Sequence, residues 1–545
     1  MRETAELRGR WWHWVLLVGV CAGLFLTNAG TLPLGDPEES RCALIVQGMM
    51  QGGDWIVPHL EGEIYADKPA PFFWLSAAGW KLTGNAELGG RLVAALAGTL
   101  AVLVTYVLGR RMFGAKAGLL AGLVLATSGE FVYLARWYRM DMPFAAAMWA
   151  AVWWFWRAED RRWKGGGEQD RRGWWGFYAL CGIATLFKGP AGLVLPGLVV
   201  VAYLLLSGRP RRVLEMLHPG GIVVYLVIAA PWYVAMIWQD PGYAWYFFVT
   251  QNVVRYAGRS LGQHSFLGIL YVPIVLVGML PWAFLAPAMC VRYFPWRLSQ
   301  RTREPGMMLL WLAALVPLVF FAFSKTKLLG YILPVFAPLA VMVGVLVTRW
   351  IEGKERDRLA EVSVWSWLAG LAVQLAVLGG VEKWLGVLDG WYVMIAMAGA
   401  AGIVGTWWLI RRGRRVEAVA AAMVLVVAAY LFIIIHTGPA GYELLSTRSL
   451  ANLVSAEDAE TCDFYFVTKK KLSFLFYVQP RSVKKVEVSE PGTFEELAEA
   501  MQGEQKTYCL LSQAGDLERM MRDCPGKVYV VGESGGRWLV VNQRP

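Results

Sequence analysis

The sequence predicts an all-α polytopic membrane bundle of about 13 transmembrane helices, followed by a small soluble α/β domain at the carboxyl terminus. Two observations predict the bundle. Hydrophobic residues make up 57% of the chain and charged residues only 17%, whereas soluble domains carry roughly 25% charged residues. Apolar runs of membrane-spanning length also recur from the first tens of residues to about residue 435. Beyond that point charges return and the apolar runs shorten, which predicts the second domain.

Each predicted span is an apolar run close to the ~20 residues that cross a bilayer. The first run could pass for a signal peptide, but it lacks a small-residue cleavage site and is long enough to span, so we interpret it as an uncleaved helix. The predicted spans are residues 11–32, 89–109, 115–133, 140–156, 174–187, 190–207, 221–238, 266–290, 306–323, 329–348, 362–380, 391–410 and 416–435.

Lysine and arginine alternate between rich and poor loops along the chain. The rich loops should face the cytoplasm, because cytoplasmic loops of membrane proteins carry an excess of these residues. The net charge of +11 is thereby explained by topology, and we expect no nucleic-acid partner. The rich loops lie around residues 2–10, 110–116, 157–172, 209–212, 292–303, 349–358 and 411–415. In a bacterium this arrangement predicts an inner-membrane protein whose opposite, cation-poor loops face the periplasm.

The first periplasmic loop, residues 33–88, is unusually polar for such a chain. Its stretch from Asp36 to Pro71 reads DPEESRCALIVQGMMQGGDWIVPHLEGEIYADKPAP. Apolar spacing over 41–52 and the aromatic residues from Phe72 onward predict two short juxtamembrane helices. Because so many charged groups are collected in one loop, we predict that it carries the active site of a transmembrane domain covering residues 1–435.

Strand and helix signals alternate in the tail, which predicts a periplasmic α/β domain over residues 436–545. It shows no nucleophile elbow, P-loop or dinucleotide-binding fingerprint, so we assign it no catalysis. Of the three cysteines in the tail, Cys462, Cys509 and Cys524, two could form a disulfide and one would remain. Predicted strands lie at 464–468, 486–488, 507–511, 527–532 and 538–541, and predicted helices at 494–502 and 515–522.

Two carboxylates stand where predicted helices meet the periplasmic face. Asp36 directly follows the first span, and Asp141 begins the fourth. Either could act as the general base for an incoming hydroxyl or amine. The alternatives are a helix-end turn for Asp36 and a helix cap for Asp141.

Several cations break the cation-poor pattern of the predicted periplasmic face. Together they suit a phosphate or pyrophosphate pocket, although each alone could be an ordinary loop residue. The predicted phosphate-binding residues are Lys68, Arg136, Arg139, Lys188, Lys325, Lys327 and Tyr331. Asp67 and His264 could hold a divalent metal, since carboxylate and imidazole suit zinc or manganese. The alternatives are a solvated ion pair of Asp67 with Lys68 and a structural histidine.

The order of these motifs resembles one known family. The ordered motifs are Asp36, Gly53–Asp54–Trp55–Ile56–Val57–Pro58, Tyr65–Ala66–Asp67–Lys68–Pro69, Asn85 with Glu87 and Arg91, Arg139–Met140–Asp141, Lys188–Gly189–Pro190, Pro281–Trp282 and Ser324–Lys325–Thr326–Lys327–Leu328. Over about residues 12–340 the chain resembles the bacterial aminoarabinose (lipid A) transferase family, within the protein O-mannosyltransferase superfamily of GT-C fold.

The resemblance implies a glycosyltransferase that uses an undecaprenyl-phosphate-linked sugar on the periplasmic face with an inverting-type transfer. It implies 4-amino-4-deoxy-L-arabinose as the sugar and lipid A as the acceptor. Asp36 and Asp141 match the family's acidic pair, Lys68 matches the lysine beside the donor phosphate, and Asp67 and His264 match its metal-binding positions. The stretch Val249–Tyr256 departs from the Glu-His-containing stretch of many relatives, so the acceptor stays open among a lipid, a glycan and a protein.

Other functions share part of this pattern. A protein O-mannosyltransferase-like enzyme would use the same donor site with a protein acceptor. A lipid-linked sugar flippase would share the phosphate-binding cations, but it predicts broken helices near the midplane and repeated halves. A membrane scaffold would depend on its carboxyl-terminal domain and would tolerate changes in the first loop.

Overall fold

The structure is a computed structural model that describes residues 11–163, 172–257, 268–294, 304–324, 327–353, 365–372, 380, 391–467, 471–486 and 493–544. Helices dominate up to residue 445, and a mixed sheet follows. The helices of the first half are α1 Trp11–Leu26, α2 Glu38–Gly52, α3 Pro71–Thr83, α4 Ala86–Phe113, α5 Ala115–Ala126, α6 Gly129–Ala135, α7 Asp141–Trp163, α8 Arg172–Lys188, α9 Ala191–Leu206 and α10 Pro219–Gln239.

Further helices complete the membrane part. They are α11 Tyr271–Gly278, α12 Ala286–Tyr293, α13 Pro305–Phe323, α14 Phe336–Ile351, α15 Trp391–Arg411, α16 Arg415–Phe432 and α17 Gly438–Leu445. Residues 242–257 form a continuous helical segment composed of Gly242–Ala244, the π-helical Trp245–Val254 and Arg255–Ala257. Short 3₁₀ segments occupy Pro210–Leu217, Gly268–Leu270, Trp282–Leu285 and Leu329–Val335.

The membrane-spanning prediction is confirmed as a fold class, since many apolar helices lie where the sequence placed them. Within the described ranges, five helices are long and apolar enough to cross a membrane, and seven when each bent pair counts as one span. The count of about 13 spans therefore stays a prediction. Most of the predicted span 362–380 lies outside the described residues.

Two runs that we predicted as single spans, 115–133 and 266–290, are bent. α5 meets α6 at 67°, and residues 268–278 meet 282–293 at 108°. At the first bend the hydroxyls of Thr127 and Ser128 donate to the carbonyls of Leu123 and Val124, at 2.6 and 2.7 Å, and such back-bonding often bends helices. The Trp282 indole N–H donates to the Thr127 hydroxyl at 3.0 Å, so the two bends support each other.

Small residues allow the central helices to approach closely. A Cβ on Gly118 of α5 would lie 2.6 Å from the backbone nitrogen of Arg110 in α4, and a Cβ on Gly344 of α14 would lie 2.7 Å from the carbonyl oxygen of Ala117. Membrane helices pack through such small residues because lipid supplies no hydrophobic drive between them. α4, α5 and α14 therefore form a rigid centre behind the first loop.

The first loop contains α2 and α3, joined by a hairpin of β1 (His59–Leu60) and β2 (Glu63–Ile64). α3 lies directly on the start of α4, where a Cβ on Gly89 would come within 2.3 Å of the Trp80 backbone nitrogen. The helix N-cap Asn85 accepts a hydrogen bond from the Leu88 N–H. The loop is thus a folded layer over one end of the bundle.

A buried ion pair ties this layer to the bundle. Arg91 of α4 and Glu39 of α2 are 1% and 0% exposed, and they form two hydrogen bonds of 2.9 and 2.7 Å. The Arg91 guanidinium also donates to the carbonyls of Ala29, Leu32 and Pro33 at 2.7–2.8 Å. One side chain therefore fixes the end of α1, the start of the loop and α2 together.

The carboxyl-terminal part is a small α/β domain, as predicted. Its helices are α18 Arg448–Ala451, α19 Ala456–Thr461, α20 Leu472–Val478, α21 Thr493–Gln502 and α22 Ala514–Asp523. Its strands are β3 Asp463–Val467, β4 Ser482–Val486, β5 Thr507–Leu511, β6 Tyr529–Ser534 and β7 Arg537–Val541, in the order β4-β3-β5-β7-β6. β3 runs parallel to β4 and β5, and β7 runs antiparallel to β5 and β6. Cys462, Cys509 and Cys524 are buried free thiols, so the disulfide that we left open is not formed.

Replacing Arg91 by alanine should destabilise the protein by about 3–5 kcal/mol, because Glu39 would remain buried without its partner. Thermal unfolding of the purified protein in detergent measures this change. Arg41→Ala is the matched control, since the pair of Arg41 with Glu38 at 3.4 Å is partly exposed and its loss should cost at most about 1 kcal/mol. Equal melting temperatures for the two variants would contradict the prediction.

Candidate functional site

Asp141 lies at the centre of a cluster of charged groups at the end of the bundle that the first loop covers. It is the first residue of α7 and is 2% exposed. Lys188, the last residue of α8, donates a hydrogen bond to its Oδ1, and Arg139 Nε lies 3.0 Å from its Oδ2. Arg139 Nη2 also lies 3.7 Å from Glu38 Oε2. One carboxylate therefore holds two of the predicted phosphate-binding cations.

The 3₁₀ segment Leu329–Val335 closes over this cluster. A Cβ on Gly330 would lie 2.9 Å from the Asp141 Cγ, so only glycine allows the backbone to approach the carboxylate. The next residue, Tyr331, places its ring 4.6 Å from the Lys188 ammonium, and Phe144 places its ring 5.1 Å away on another side. Aromatic faces attract a cation and leave it less hydrated.

A cavity of about 250 Å³ opens beside these residues. Its polar wall carries Lys68, Lys188, Arg255 and Tyr331. The apolar part of its lining comes from α9, the end of α13 and the 242–257 segment, which also carries Arg255. The residues that line it are Asp67, Lys68, Lys188, Pro190, Ala191, Val194, Phe247, Gln251, Asn252, Val253, Arg255, Tyr256, Phe320, Phe321, Ser324 and Tyr331. We call this space the cationic cavity.

Lys68 reaches the cationic cavity from the first loop. Its ammonium donates to the carbonyl of Asp67 at 3.1 Å. Burial lowers the pKa of Lys68 to about 8, partly opposed by Asp67 and reinforced by Arg255 and Lys188. The side chain can therefore change its charge near neutral pH, and a bound anion would favour the charged form.

A hydrogen-bonded network links Asp67 to Arg255. The carboxylate of Asp67 accepts from the Tyr246 hydroxyl at 2.7 Å and from the Gln251 amide. The same glutamine accepts from Arg255 Nη1 at 2.9 Å. Its oxygen faces the guanidinium and its nitrogen faces the carboxylate, so the network orients Arg255 along the wall of the cavity.

The predicted metal site is only partly within the described residues, since His264 lies outside them. Asp67 faces the proton donors of Tyr246 and Gln251, which do not offer lone pairs to a metal in this arrangement. The described part of the chain contains no group of three or more His, Cys, Asp or Glu side chains that could hold a metal. Within the described ranges no metal site is formed, and zinc or manganese held by Asp67 and His264 stays a prediction.

Among the described residues, three other predicted phosphate ligands do not line the cavity: Arg136, Arg139 and Lys327. Arg136 donates to the carbonyls of Leu24 and Thr27, both at 2.7 Å, and so caps the end of α1. Arg139 is held by Asp141 and Glu38, beside the cavity but not in its wall. Lys327 is buried and donates to the Ser324 carbonyl, and Lys325 lies outside the described residues. The prediction gave every cation of the predicted periplasmic face the same role of binding phosphate. Arg136 and Lys327 instead donate hydrogen bonds to backbone carbonyls.

Asp36 also lies apart from the residues of the cationic cavity. Its Oδ1 accepts from the Ser473 N–H at 2.7 Å and its Oδ2 from the Ser473 hydroxyl at 2.6 Å. Burial raises the pKa of Asp36, and the hydrogen bonds from Ser473 oppose that rise. The carboxylate thus binds the carboxyl-terminal domain, a contact that the sequence analysis did not anticipate.

Arg255, Gln251 and Tyr246 are the site residues that sequence reasoning missed. A usable signal existed for Arg255, because it is a cation on the predicted periplasmic face, like Lys68. Gln251 and Arg255 are also four residues apart, which places them on one side of a helix. No comparable signal marks Tyr246, whose role depends on where the first loop folds.

Three comparisons with known proteins agree with this architecture. A family model described as dolichyl-phosphate-mannose-protein mannosyltransferase matches residues 67–238. An undecaprenyl phosphate-alpha-4-amino-4-deoxy-L-arabinose arabinosyl transferase of Pseudomonas fluorescens is 34% identical over 370 residues, which cover 67% of this chain and 65% of the relative. The enzyme of that name from Pseudomonas aeruginosa is 33% identical over 339 residues, which cover 61% of this chain and 59% of the relative. The chain thus spans less than two thirds of these curated relatives.

Solved structures extend the similarity over almost the whole chain. The crystal structure of ArnT from Cupriavidus metallidurans bound to undecaprenyl phosphate superposes with a TM-score of 0.76 and 25% identity, covering 97% of this chain and 98% of ArnT. Its apo state gives the same TM-score and identity. At this coverage the similarity includes the carboxyl-terminal domain.

Proposed function

We propose that this chain, which is similar to undecaprenyl phosphate-alpha-4-amino-4-deoxy-L-arabinose arabinosyl transferases and to ArnT and matches a mannosyltransferase family model over residues 67–238, is a membrane glycosyltransferase. It moves a sugar from an undecaprenyl-phosphate donor to an acceptor on the periplasmic face. The observation that carries this proposal is the cationic cavity, whose lining combines Lys68, Lys188 and Arg255 with apolar side chains such as Val194 and Phe320. A phosphate joined to a polyprenyl tail has the matching chemistry.

The donor phosphate lies against the cations in this proposal. Lys68 binds it as a point charge, and the guanidinium of Arg255 can offer two parallel donors to its oxygens. Lys188 adds positive charge while Asp141 holds it in place. The polyprenyl tail follows the apolar wall past Val194 and Phe320, toward the membrane.

Transfer releases undecaprenyl phosphate. The acceptor oxygen or nitrogen bonds to the anomeric carbon, the bond from that carbon to the phosphate oxygen breaks, and the electron pair stays on the phosphate. The acceptor proton passes to a carboxylate at the outer mouth, for which Asp141 is our candidate, or to solvent. Cations placed around the leaving phosphate stabilise the charge that develops there, which is usually the largest contribution to such catalysis.

The orientation of the site follows from the charges at the two ends of the bundle. Glu159 lies at the opposite end of α7 from Asp141 and is paired with Arg209 and Arg212. These arginines belong to the cation-rich loops that we assign to the cytoplasm. The cationic cavity then opens on the periplasmic side of the inner membrane.

The names of the curated relatives favour 4-amino-4-deoxy-L-arabinose as the sugar, and lipid A is our first candidate acceptor. A glycan or a protein acceptor, as in protein O-mannosyltransferases, would use the same donor site. Lipid and glycan mass spectrometry of a deletion strain identifies sugar and acceptor together. A flippase would instead move the lipid-linked sugar without releasing undecaprenyl phosphate.

Replacing Lys68 by alanine should weaken undecaprenyl-phosphate binding by about 10- to 100-fold and lower sugar transfer at least as much, since a charged hydrogen bond to the phosphate is lost. Lys81→Ala is the matched control, because Lys81 is an exposed cation of the same loop that packs over Trp55, 5.4 Å from its ring, outside the cavity. Binding is measured with the purified protein in nanodiscs. Wild-type affinity and transfer in Lys68→Ala would refute the proposed donor site.

The affinity for undecaprenyl phosphate should fall as pH rises above about 8, the pKa to which burial lowers Lys68. Below that pH the lysine is charged and attracts the phosphate, whereas above it the neutral amine no longer does. Lys68→Arg keeps its charge throughout this range and should show a flat profile. A wild-type affinity that stays constant between pH 7 and 10, or a variant with the same decline, would contradict this assignment.

A further inference from the structure

The carboxyl-terminal domain contacts the start of the first loop through α20. Both oxygens of the Asp36 carboxylate are hydrogen-bonded to Ser473, at 2.7 Å from its N–H and 2.6 Å from its hydroxyl. Ser473 is fully buried and is the second residue of α20, so its N–H has no partner within that helix. The Ser473 hydroxyl also contacts the Thr447 hydroxyl at 2.7 Å. Ser473 is therefore hydrogen-bonded to Asp36 of the first loop on one side and to Thr447 of its own domain on the other.

One turn later on α20, a single hydroxyl joins the two ends of the first loop. The Tyr477 oxygen accepts from the Leu34 N–H at 2.9 Å and donates to Glu87 Oε1 at 2.8 Å. Leu34 lies where the loop begins and Glu87 where it ends, in the first turn of α4. Arg448 forms an ion pair with the same Glu87 carboxylate, with its Nη1 lying 3.5 Å from Oε1.

Apolar contacts on the same helix connect the two cores. Phe476 of α20 is 7% exposed and packs with the core of the membrane part, with its ring 5.8 Å from that of Trp80 in α3. In the opposite direction, Leu44 of α2 packs against the core of the carboxyl-terminal domain. α20 is therefore a shared element of both domains and contacts both helices of the loop.

We propose that the carboxyl-terminal domain positions the donor site, with Ser473 and Tyr477 as positioning residues that hold the first loop in the conformation in which Lys68 lines the cationic cavity. This inference rests on the proposed transferase function. In this proposal the role of Asp36 is to accept the two hydrogen bonds from Ser473. The domain then contributes to transfer without supplying a group that touches the donor.

The test compares variants of the full-length protein in nanodiscs. Ser473→Ala and Tyr477→Phe should increase hydrogen exchange over residues 33–88 and lower kcat/KM for transfer by about tenfold, because each removes hydrogen bonds to the loop. Ser473→Thr keeps the hydroxyl and should restore most of the activity. Exchange in β3, β5 and β7 should stay as in the wild type, which separates a loosened loop from an unfolded domain.

Ser455→Ala is the matched control. Ser455 caps α19 within the same domain: its hydroxyl accepts from the Asp458 N–H at 3.0 Å, and its carbonyl accepts from the Ala459 N–H at 3.0 Å. If Ser473→Ala and Tyr477→Phe match Ser455→Ala in both exchange and kcat/KM, the proposal is overturned. A wild-type protein without any transfer would overturn the proposed function instead, while the exchange comparison would still decide whether α20 holds the loop.

The role of Asp36 is tested separately. Asn in place of Asp36 can still accept from the Ser473 N–H but cannot take up the acceptor proton, whereas Ala can do neither. Positioning predicts that Asp36→Asn retains at least tenfold more kcat/KM than Asp36→Ala. Equal loss in the two variants, with loop exchange unchanged in Asp36→Asn, would show that Asp36 acts chemically and would overturn its positioning role.

Discussion

The buried pair of Glu39 and Arg91 is the interaction on which the outer mouth of the bundle depends. Besides Glu39, Arg91 binds the carbonyls of Ala29, Leu32 and Pro33 just after α1. Glu39 accepts from the backbone N–H groups of Gly35 and Tyr138 at 2.9 Å. Every polar atom of the pair is thereby used, which is the condition under which a buried ion pair is tolerated. Tyr138 lies directly before Arg139 and Asp141, so the pair that folds the first loop also sets where α7 begins.

The site contains a second group of ion pairs, whose cations are less completely buried than Arg91. Asp141 holds Lys188 and Arg139, and Gly330 lets the backbone close over it. Lys68 and Arg255 face the cavity from the first loop and from the 242–257 segment, which are different parts of the fold. Donor binding in this account therefore requires the loop to be in place, and α20 of the carboxyl-terminal domain contacts both of its ends. An appended domain without catalytic motifs can in this way be needed for catalysis.

Much of the fold could be predicted because membrane helices follow directly from hydropathy. The apolar runs placed most helices correctly, whereas the bends after Ala126 and around Pro281 depend on hydroxyl back-bonding and on contacts between distant helices. The contacts of the predicted site residues were harder to foresee, for a physical reason. Charge counting finds Lys68, Asp141 and Lys188, but it cannot tell a cation that faces a cavity from one that caps a helix, as Arg136 does, nor can it show that Asp36 binds Ser473, 437 positions along the chain.

The most direct measurement is an experimental structure of this protein with undecaprenyl phosphate bound. The account predicts phosphate density within hydrogen-bonding distance of Lys68 and Arg255, with the polyprenyl chain against Val194 and Phe320. Phosphate density elsewhere, for example beside Arg136 or between Asp36 and the carboxyl-terminal domain, with the cationic cavity filled by side chains or water, would contradict it.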